Sequence, residues 1–388
     1  MPTETLMMKI SKNTWYGNIP TDWVINKYKF ICKISSGDAM APEDLDDSCE
    51  YEVYGGGKLI GFANSYNTQN CILIGRVGAN CGCITNISDK CWATDNALIL
   101  KTSSNKNYMN YLLMASNLND INESNAQPLI TASKVLNFKI PFTCNINEQQ
   151  AIADFLDEKC EKIDKVIGEI EEQIQVLEDY KKSLITETVT KGIDKNVPMK
   201  DSGIDWIGKI PANWDIKKLK YCCRICNGAE YADIEVSDGG YPVMGSGGEF
   251  ARASKYSYDK ESVLLGRKGT IDKPLYVDFP FWAVDTMFYT KINKNMYPKF
   301  LYYSATKIRF DYYVTATALP SMTQRDLGSE PLTIPPYNIQ MQIADYLDKE
   351  CAKIDTTIND KKEQLETIKE YKKSLIYEYV TGKKRVAC

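Results

Sequence analysis

The chain has 388 residues, of which 44% are hydrophobic and 25% charged, with a formal net charge of −4; this is the balance of a soluble globular protein of two to four modules, without the basic signature of a simple nucleic-acid binder. It contains no histidine, which excludes a Ser-His-Asp triad, a Cys-His pair, a His-ligated zinc and any imidazole acid–base step built within the chain. No apolar run approaches the roughly 20 residues of a membrane helix, and the opening MPTETLMMKI lacks a signal-peptide pattern, so the expectation is a cytoplasmic protein with no membrane contact, its 13 cysteines reduced thiols.

In chain order, Tyr16-Gly-Asn-Ile-Pro-Thr-Asp-Trp23 opens a strand-rich stretch. Short β-prone runs such as Cys71–Ile74 and Ala97–Leu100, punctuated by Gly and Asn, predict strands. A helical patch follows near Tyr108–Asn117. From Ile152 to about Glu187 there is no Pro, and the only Gly is Gly168. Leu156, Ile163, Ile170, Leu177 and Leu184 recur every seven residues, with Cys160, Ile167, Ile174 and Lys181 as companion row. That is a coiled-coil seam. About 36 helical residues make a rod of roughly 54 Å.

The pattern then starts again. Ile207-Gly-Lys-Ile-Pro-Ala-Asn-Trp214 repeats the opening at a spacing of 191. The runs Ser262–Leu265 and Met287–Thr290 predict strands, and Pro298–Lys307 a helix. Gly75-Arg-Val-Gly78 answers Gly266-Arg-Lys-Gly269, and Trp92-Ala-Thr-Asp95 answers Trp282-Ala-Val-Asp285. Ile152-Ala-Asp-Phe-Leu-Asp157 returns as Ile343-Ala-Asp-Tyr-Leu-Asp348, and Tyr180-Lys-Lys-Ser-Leu-Ile185 as Tyr371-Lys-Lys-Ser-Leu-Ile376. The second seam runs Leu347, Ile354, Ile368 and Leu375 against Cys351, Ile358, Leu365 and Lys372, with Lys361 where the first copy has Ile170. All six tryptophans fall into matched pairs. The chain is a tandem duplication of a mixed α+β domain followed by a long helix. The divisions are 1–149 and 193–338 for the domains, 150–192 and 339–388 for the helices. The spacing of seven favours the two helices packing on each other over each packing on its own domain.

The ordered, duplicated set of motifs resembles the specificity (S) subunit of type I restriction–modification systems over nearly the whole length. The resemblance implies two target recognition domains, each reading one half of a bipartite double-stranded DNA site. It implies two helices packed antiparallel as a coiled coil that sets the unread spacer. It implies two modification (adenine methyltransferase) subunits docked on the chain and restriction subunits completing the nuclease. The chain would hold no catalytic site or cofactor; S-adenosylmethionine, Mg²⁺ and ATP would belong to the partner subunits.

Other motifs carry less. Ile334-Pro-Pro-Tyr337 has Ile where an adenine methyltransferase needs a side chain that accepts the target amino group. Gly55-Gly-Gly-Lys58 is followed by Leu59 where a phosphate loop needs Ser or Thr, and reads as a Gly-rich turn in a DNA-facing loop, matched by Gly245-Ser-Gly-Gly248. Cys223 and Cys226 lack a second pair at zinc spacing, and Cys71, Cys81, Cys83 and Cys91 lack counterparts in the second copy; free thiols and no metal site are expected. Arg76 and Arg267 either are merely solvated on structural hairpins or reach a phosphate or guanine edge; as repeated residues they fit backbone positioning better than base reading. Residues that differ between copies are the candidate base readers: Lys58, Asn80 and Gln127 in the first, Arg252, Lys268, Gln324 and Arg325 in the second. The paired tryptophans read as core. Residues 148–198 carry 7 basic and 13 acidic side chains, a charge that either solvates a free face or meets modification subunits. Rival readings are a freestanding DNA methyltransferase or nuclease with an unrecognised site, and a pseudo-symmetric protein adaptor.

Overall fold

The computed structural model describes residues 7–10, 15–121, 128–310 and 321–386. Packing divides the chain into two units, Met1–Glu171 with Glu363–Cys388, and Glu172–Lys362. The two borders fall inside the long helices, so each unit holds one domain, the near half of the helix that follows it, and the far half of the other helix.

In the first unit a two-residue ribbon, Met8–Lys9 with Ile19–Pro20, precedes β1 (Val24–Lys27) and β2 (Cys32–Ser36). Then come β3 (Tyr51–Gly55), β4 (Lys58–Ala63), β5 (Thr68–Gly75), β6 (Ile84–Ala93) and β7 (Ala97–Thr102). These five and β2 form one sheet in the order β2-β7-β5-β6-β3-β4. All neighbours are antiparallel except β3 and β6. Cys71 to Gly75 of β5 are buried without alternation, as a central strand covered on both faces requires. Helix α1 (Lys106–Ala115) starts where the Asn105 side chain accepts from the Tyr108 N–H at 2.9 Å, an N-cap. Helix α2 (Ala132–Asn137) is capped in the same way by Thr131. β8 (Lys139–Phe142) returns antiparallel to β1.

Helix α3 runs Ile146–Lys191, beginning earlier than the apolar repeat suggests because the Asn145 side chain accepts from the Asn147 N–H at 3.0 Å. It stops at Gly192, whose φ of +79° is the left-handed cap position that favours glycine.

The second unit repeats the plan. β9 (Asp215–Lys218) pairs with β17 (Pro331–Ile334). Between them lie β10 (Cys223–Asn227), β11 (Tyr241–Gly245), β12 (Gly248–Ala253), β13 (Ser262–Gly266), β14 (Leu275–Val277), β15 (Trp282–Ala283) and β16 (Met287–Ile292). Helices α4 (Pro298–Ala305) and α5 (Gln324–Ser329) follow, and α6 runs Tyr337–Val380. Here the sheet is split into β10-β16-β13-β14 and β12-β11-β15. The strand that is continuous as β6 in the first unit is broken into β14 and β15. Pro280 lies in that break and has no N–H to give a neighbouring strand.

The helices explain the sequence motifs. In the first unit, Ile152, Ala153, Leu156 and Cys160 of α3 share a core with Leu375, Ile376 and Val380 of α6. In the second, Ile343, Ala344, Leu347 and Cys351 share one with Ile185 and Val189. The final Asp of the Ile-Ala-Asp motif accepts a tyrosine hydroxyl in each unit, Tyr111 to Asp157 and Tyr303 to Asp348, both at 2.7 Å. Burial first, and the carboxylate second, push both phenols well above their ordinary pKa.

The helices run antiparallel within each unit. Asp164 faces Lys372 at 2.6 Å and Glu171 faces Lys369 at 3.1 Å in the first. In the second, Lys181 faces Asp355 at 2.6 Å and Lys361 donates to Gln173 at 2.6 Å. The acidic charge of α3 is thus partly matched by lysines of α6. Leu156, Ile170, Leu347, Ile354, Ile358, Leu365 and Leu375 are buried, and Ile163, Leu177, Leu184 and Ile368 are half-buried, on the same apolar stripe.

No helix among the described residues is long and apolar enough to cross a membrane.

Candidate nucleic-acid interface

Three loops of the first unit meet at one corner. The β3–β4 turn is Gly56-Gly57, with φ of +60° and +83°, a two-residue hairpin connection that needs left-handed backbone at both positions. The Thr85 hydroxyl donates to the Gly57 carbonyl and holds this turn to β6. Gly75 ends β5 so close to its neighbours that a Cβ there would lie 2.0 Å from the Asn80 carbonyl oxygen and 2.5 Å from that of Gly56. Only glycine fits such an approach. Lys58 therefore leaves the turn exposed, while Arg76 and Asn80 sit half-buried on the adjoining loop.

Arg76 is fixed by its backbone. Its N–H donates to the Asn96 carbonyl at 3.0 Å and its carbonyl accepts from the Ile130 N–H at 2.9 Å. Its buried Nε has no hydrogen-bond partner among the described residues. Gln127 lies outside the described residues.

The second unit uses the same frame with different side chains. Gly266 ends β13, where a Cβ would lie 2.4 Å from the Thr270 carbonyl oxygen. The Arg267 N–H donates to Thr286 at 2.9 Å and its carbonyl accepts from Met322 at 2.9 Å. Its guanidinium donates to the Asp285 carbonyl at 3.1 Å and lies 5.9 Å from the Phe288 ring centroid. Lys268 is exposed and bridges to Ser321, two residues before Thr323, which closes a capping box at α5 with Asp326. Gln324 and Arg325 open that helix, both exposed. The Gln324 amide donates to Asn227 at 3.1 Å and to the Ile225 carbonyl at 3.4 Å, so its nitrogen is already engaged. Arg252 stands apart on β12, with Nε 3.7 Å from Glu249. The structure thus gathers Arg267, Lys268, Gln324 and Arg325, and leaves Arg252 on the separate small sheet.

The tryptophans serve the scaffold. Trp23 and Trp214 are buried. Trp92 and Trp282 are half-buried, their indole N–H groups donating to the carbonyls of Asp38 at 3.1 Å and Ala229 at 3.0 Å. Burial raises the thiols of Cys222 and Cys223 to about 11 and about 12, which keeps them protonated and unreactive. Among the described residues no group of three His, Cys, Asp or Glu side chains could hold a metal ion.

Sequence reasoning missed two buried glutamines. Gln149 accepts from the Asn105 N–H at 3.0 Å and donates to the Thr143 carbonyl at 2.8 Å. Gln340 accepts from Tyr297 at 2.7 Å and donates to Pro335 at 2.9 Å. Each locks the start of a long helix to its domain, and their common spacing in the duplication was the available signal.

Two copies of one backbone frame, each offering glycine-rich loops with its own set of polar side chains, define a duplicated two-domain protein. Stretches 20–176 and 211–367 both match the type I restriction modification DNA specificity domain, and the chain belongs to that family. A relative in Methanocaldococcus jannaschii, named as the type I restriction enzyme MjaX specificity subunit, is 27% identical over 75% of this chain and 72% of its own length. The Escherichia coli type I restriction enzyme EcoprrI specificity subunit is 28% identical over 38% of this chain and 37% of its own. A chain from a solved type I R-M assembly superposes with a TM-score of 0.70 at 13% identity, covering 94% of this chain and 99% of that one; this last likeness concerns the fold.

Proposed function

We propose that the chain is the sequence-reading subunit of a type I restriction–modification complex, in which the domains at 1–149 and 193–338 each read one half of a bipartite duplex site. The paired helices at 150–192 and 339–388 set the unread spacer and dock two modification subunits. Restriction subunits join to complete the nuclease. S-adenosylmethionine, Mg²⁺ and ATP are bound by those partners and not by this chain.

The observation that carries this reading is the replicated corner. Gly75-Arg76 and Gly266-Arg267 hold the same backbone frame, while the side chains around them differ: Lys58 and Asn80 in one unit, Lys268, Gln324 and Arg325 in the other. A shared frame with different polar tips is what two readers of different sequences need, because backbone contacts position and base-edge contacts specify.

The test is a map of methylated adenine in DNA from cells with and without the gene. A bipartite motif that vanishes with the gene supports the reading, and an unchanged map contradicts it. Methyl transfer or cleavage by the pure chain, free of partner subunits, would instead favour a freestanding enzyme.

A further inference from the structure

A second feature is replicated in the two units, away from the glycine-rich corner. In the first unit Lys33 of β2 is the direct cross-strand partner of Lys101 on β7. In the second, Arg224 of β10 is the direct partner of Lys291 on β16. All four are exposed, and among the described residues none of them forms an ion pair with a carboxylate. Like charges placed opposite each other across a strand pair destabilise a sheet; Lys291 is offset in part by the Tyr258 ring, 5.4 Å from its ammonium, and an anionic ligand would compensate the charge pair in both units. The segment just before the strand adds another cation in each unit. Lys29 lies 5.0 Å from the ring centroid of Phe30, and Lys220 lies 5.1 Å from that of Tyr221; both rings are largely exposed, at 69% and 63%. In the second unit Lys220, Arg224 and Gln324 line one open notch of about 310 Å³.

We infer that this strand-edge face, built on Lys29, Lys33 and Lys101 in one unit and Lys220, Arg224 and Lys291 in the other, binds the phosphodiester backbone of duplex DNA. The inference rests on the DNA-reading function proposed above and names where each domain grips its half-site without reading bases. The charge is kept between copies while its geometry is not: Lys33 is answered by Arg224. A phosphate row tolerates that exchange, since it needs positive charge more than one fixed geometry. A bidentate ion pair with a protein carboxylate does not, because lysine cannot reproduce the planar fork of arginine. The notch adds that Gln324, at the start of α5, shares its wall with two of the cations, so backbone grip and base reading adjoin in that unit.

The experiment uses the intact complex with its modification subunits and two double variants, K33Q/K101Q and R224Q/K291Q. Binding is measured between roughly 50 and 200 mM salt, on a duplex carrying the methylated site and on an unrelated duplex. Each phosphate contact contributes about 0.9 to the slope of log affinity against log salt, so each double variant should flatten the slope by nearly two. Affinity should fall alike on both duplexes, and the methylated sequence should not change. The conservative variant K33R/K101R should restore the slope. Thermal midpoints should hold or rise, because a like-charge pair has been removed, which separates lost binding from lost folding. Unchanged slopes would overturn the inference and leave these side chains as solvated surface charge. Loss of modification-subunit assembly with slopes intact would overturn it in favour of an acidic protein partner. A wild-type complex with no sequence preference would sink the functional reading alone, since the slopes remain readable on the unrelated duplex.

Discussion

Replacing Ile376 by Ala should loosen the first domain rather than the second, although Ile376 lies in the helix that follows the second. Its side chain is 3% exposed and packs in one core with Trp23, Tyr108, Ile152 and Leu156. Truncating a buried isoleucine costs about 2–5 kcal/mol, and the dense surroundings place this site near 3. Native-state hydrogen exchange reads the effect by segment. Peptides from β5 and β7 should exchange roughly 100-fold faster, since about 1.4 kcal/mol is a factor of ten. Peptides from β13 and β16 should be unaffected. The mirror variant is Ile185→Ala, whose side chain belongs to the second core; it should loosen β13 and β16 and spare β5 and β7. Faster exchange confined to the second domain in the Ile376 variant would refute the exchange of helix ends described above.

Further outcomes follow from the same packing. Gly75→Ala should destabilise the first unit by about 1–3 kcal/mol through overpacking against the Asn80 and Gly56 carbonyls, read as a lower denaturation midpoint; an unchanged midpoint would show that the loop yields. Tyr111→Phe should cost about 1.5–3 kcal/mol, the scale of a hydrogen bond to a charged acceptor, whereas Tyr180→Phe, at a 55% exposed site, should cost nothing measurable in the same melt. Inserting one heptad in each helix, after Glu171 and after Glu363, keeps the seam in phase and adds about 10 Å. The methylated motif should then gain about three base pairs of spacer at roughly 3.4 Å each, with both half-sites kept; an unchanged spacer in an active complex would show that the helices are not the ruler.

Much of this architecture was legible in the chain because duplication prints a structural requirement twice. The seam from Leu156 to Leu184 and its copy from Leu347 to Leu375 mark the helix faces, and the Gly-Arg-x-Gly pairs mark strand ends where backbones nearly touch. Pairing of elements remote in sequence left no such mark. That Ile376 and Val380 would complete the first core, and Ile185 and Val189 the second, follows from three-dimensional packing of helix ends, which periodicity alone does not assign to a partner. The cross-strand register that sets Lys33 against Lys101 was hidden for the same reason, since a one-residue slip would turn either side chain to the other face. The split of the second sheet rests on Pro280, a local signal, but its effect depends on which strand stands beside it. The negative charge of 148–198 read as a solvated or partner-facing surface; Asp164 and Glu171 stay largely exposed and also meet Lys372 and Lys369 of the facing helix, contacts that charge counting alone did not assign.

The most direct test of the central claim is a domain exchange. Residues 1–149 are replaced by the corresponding domain of a family member with a different methylated motif, keeping the core contacts of Ile376 and Val380, and methylated adenine is mapped in cells carrying the chimera with its modification subunits. Independent reading by two domains predicts a motif with one half-site changed and the other half-site and spacer retained. A motif changed in both halves, or in neither, would contradict it.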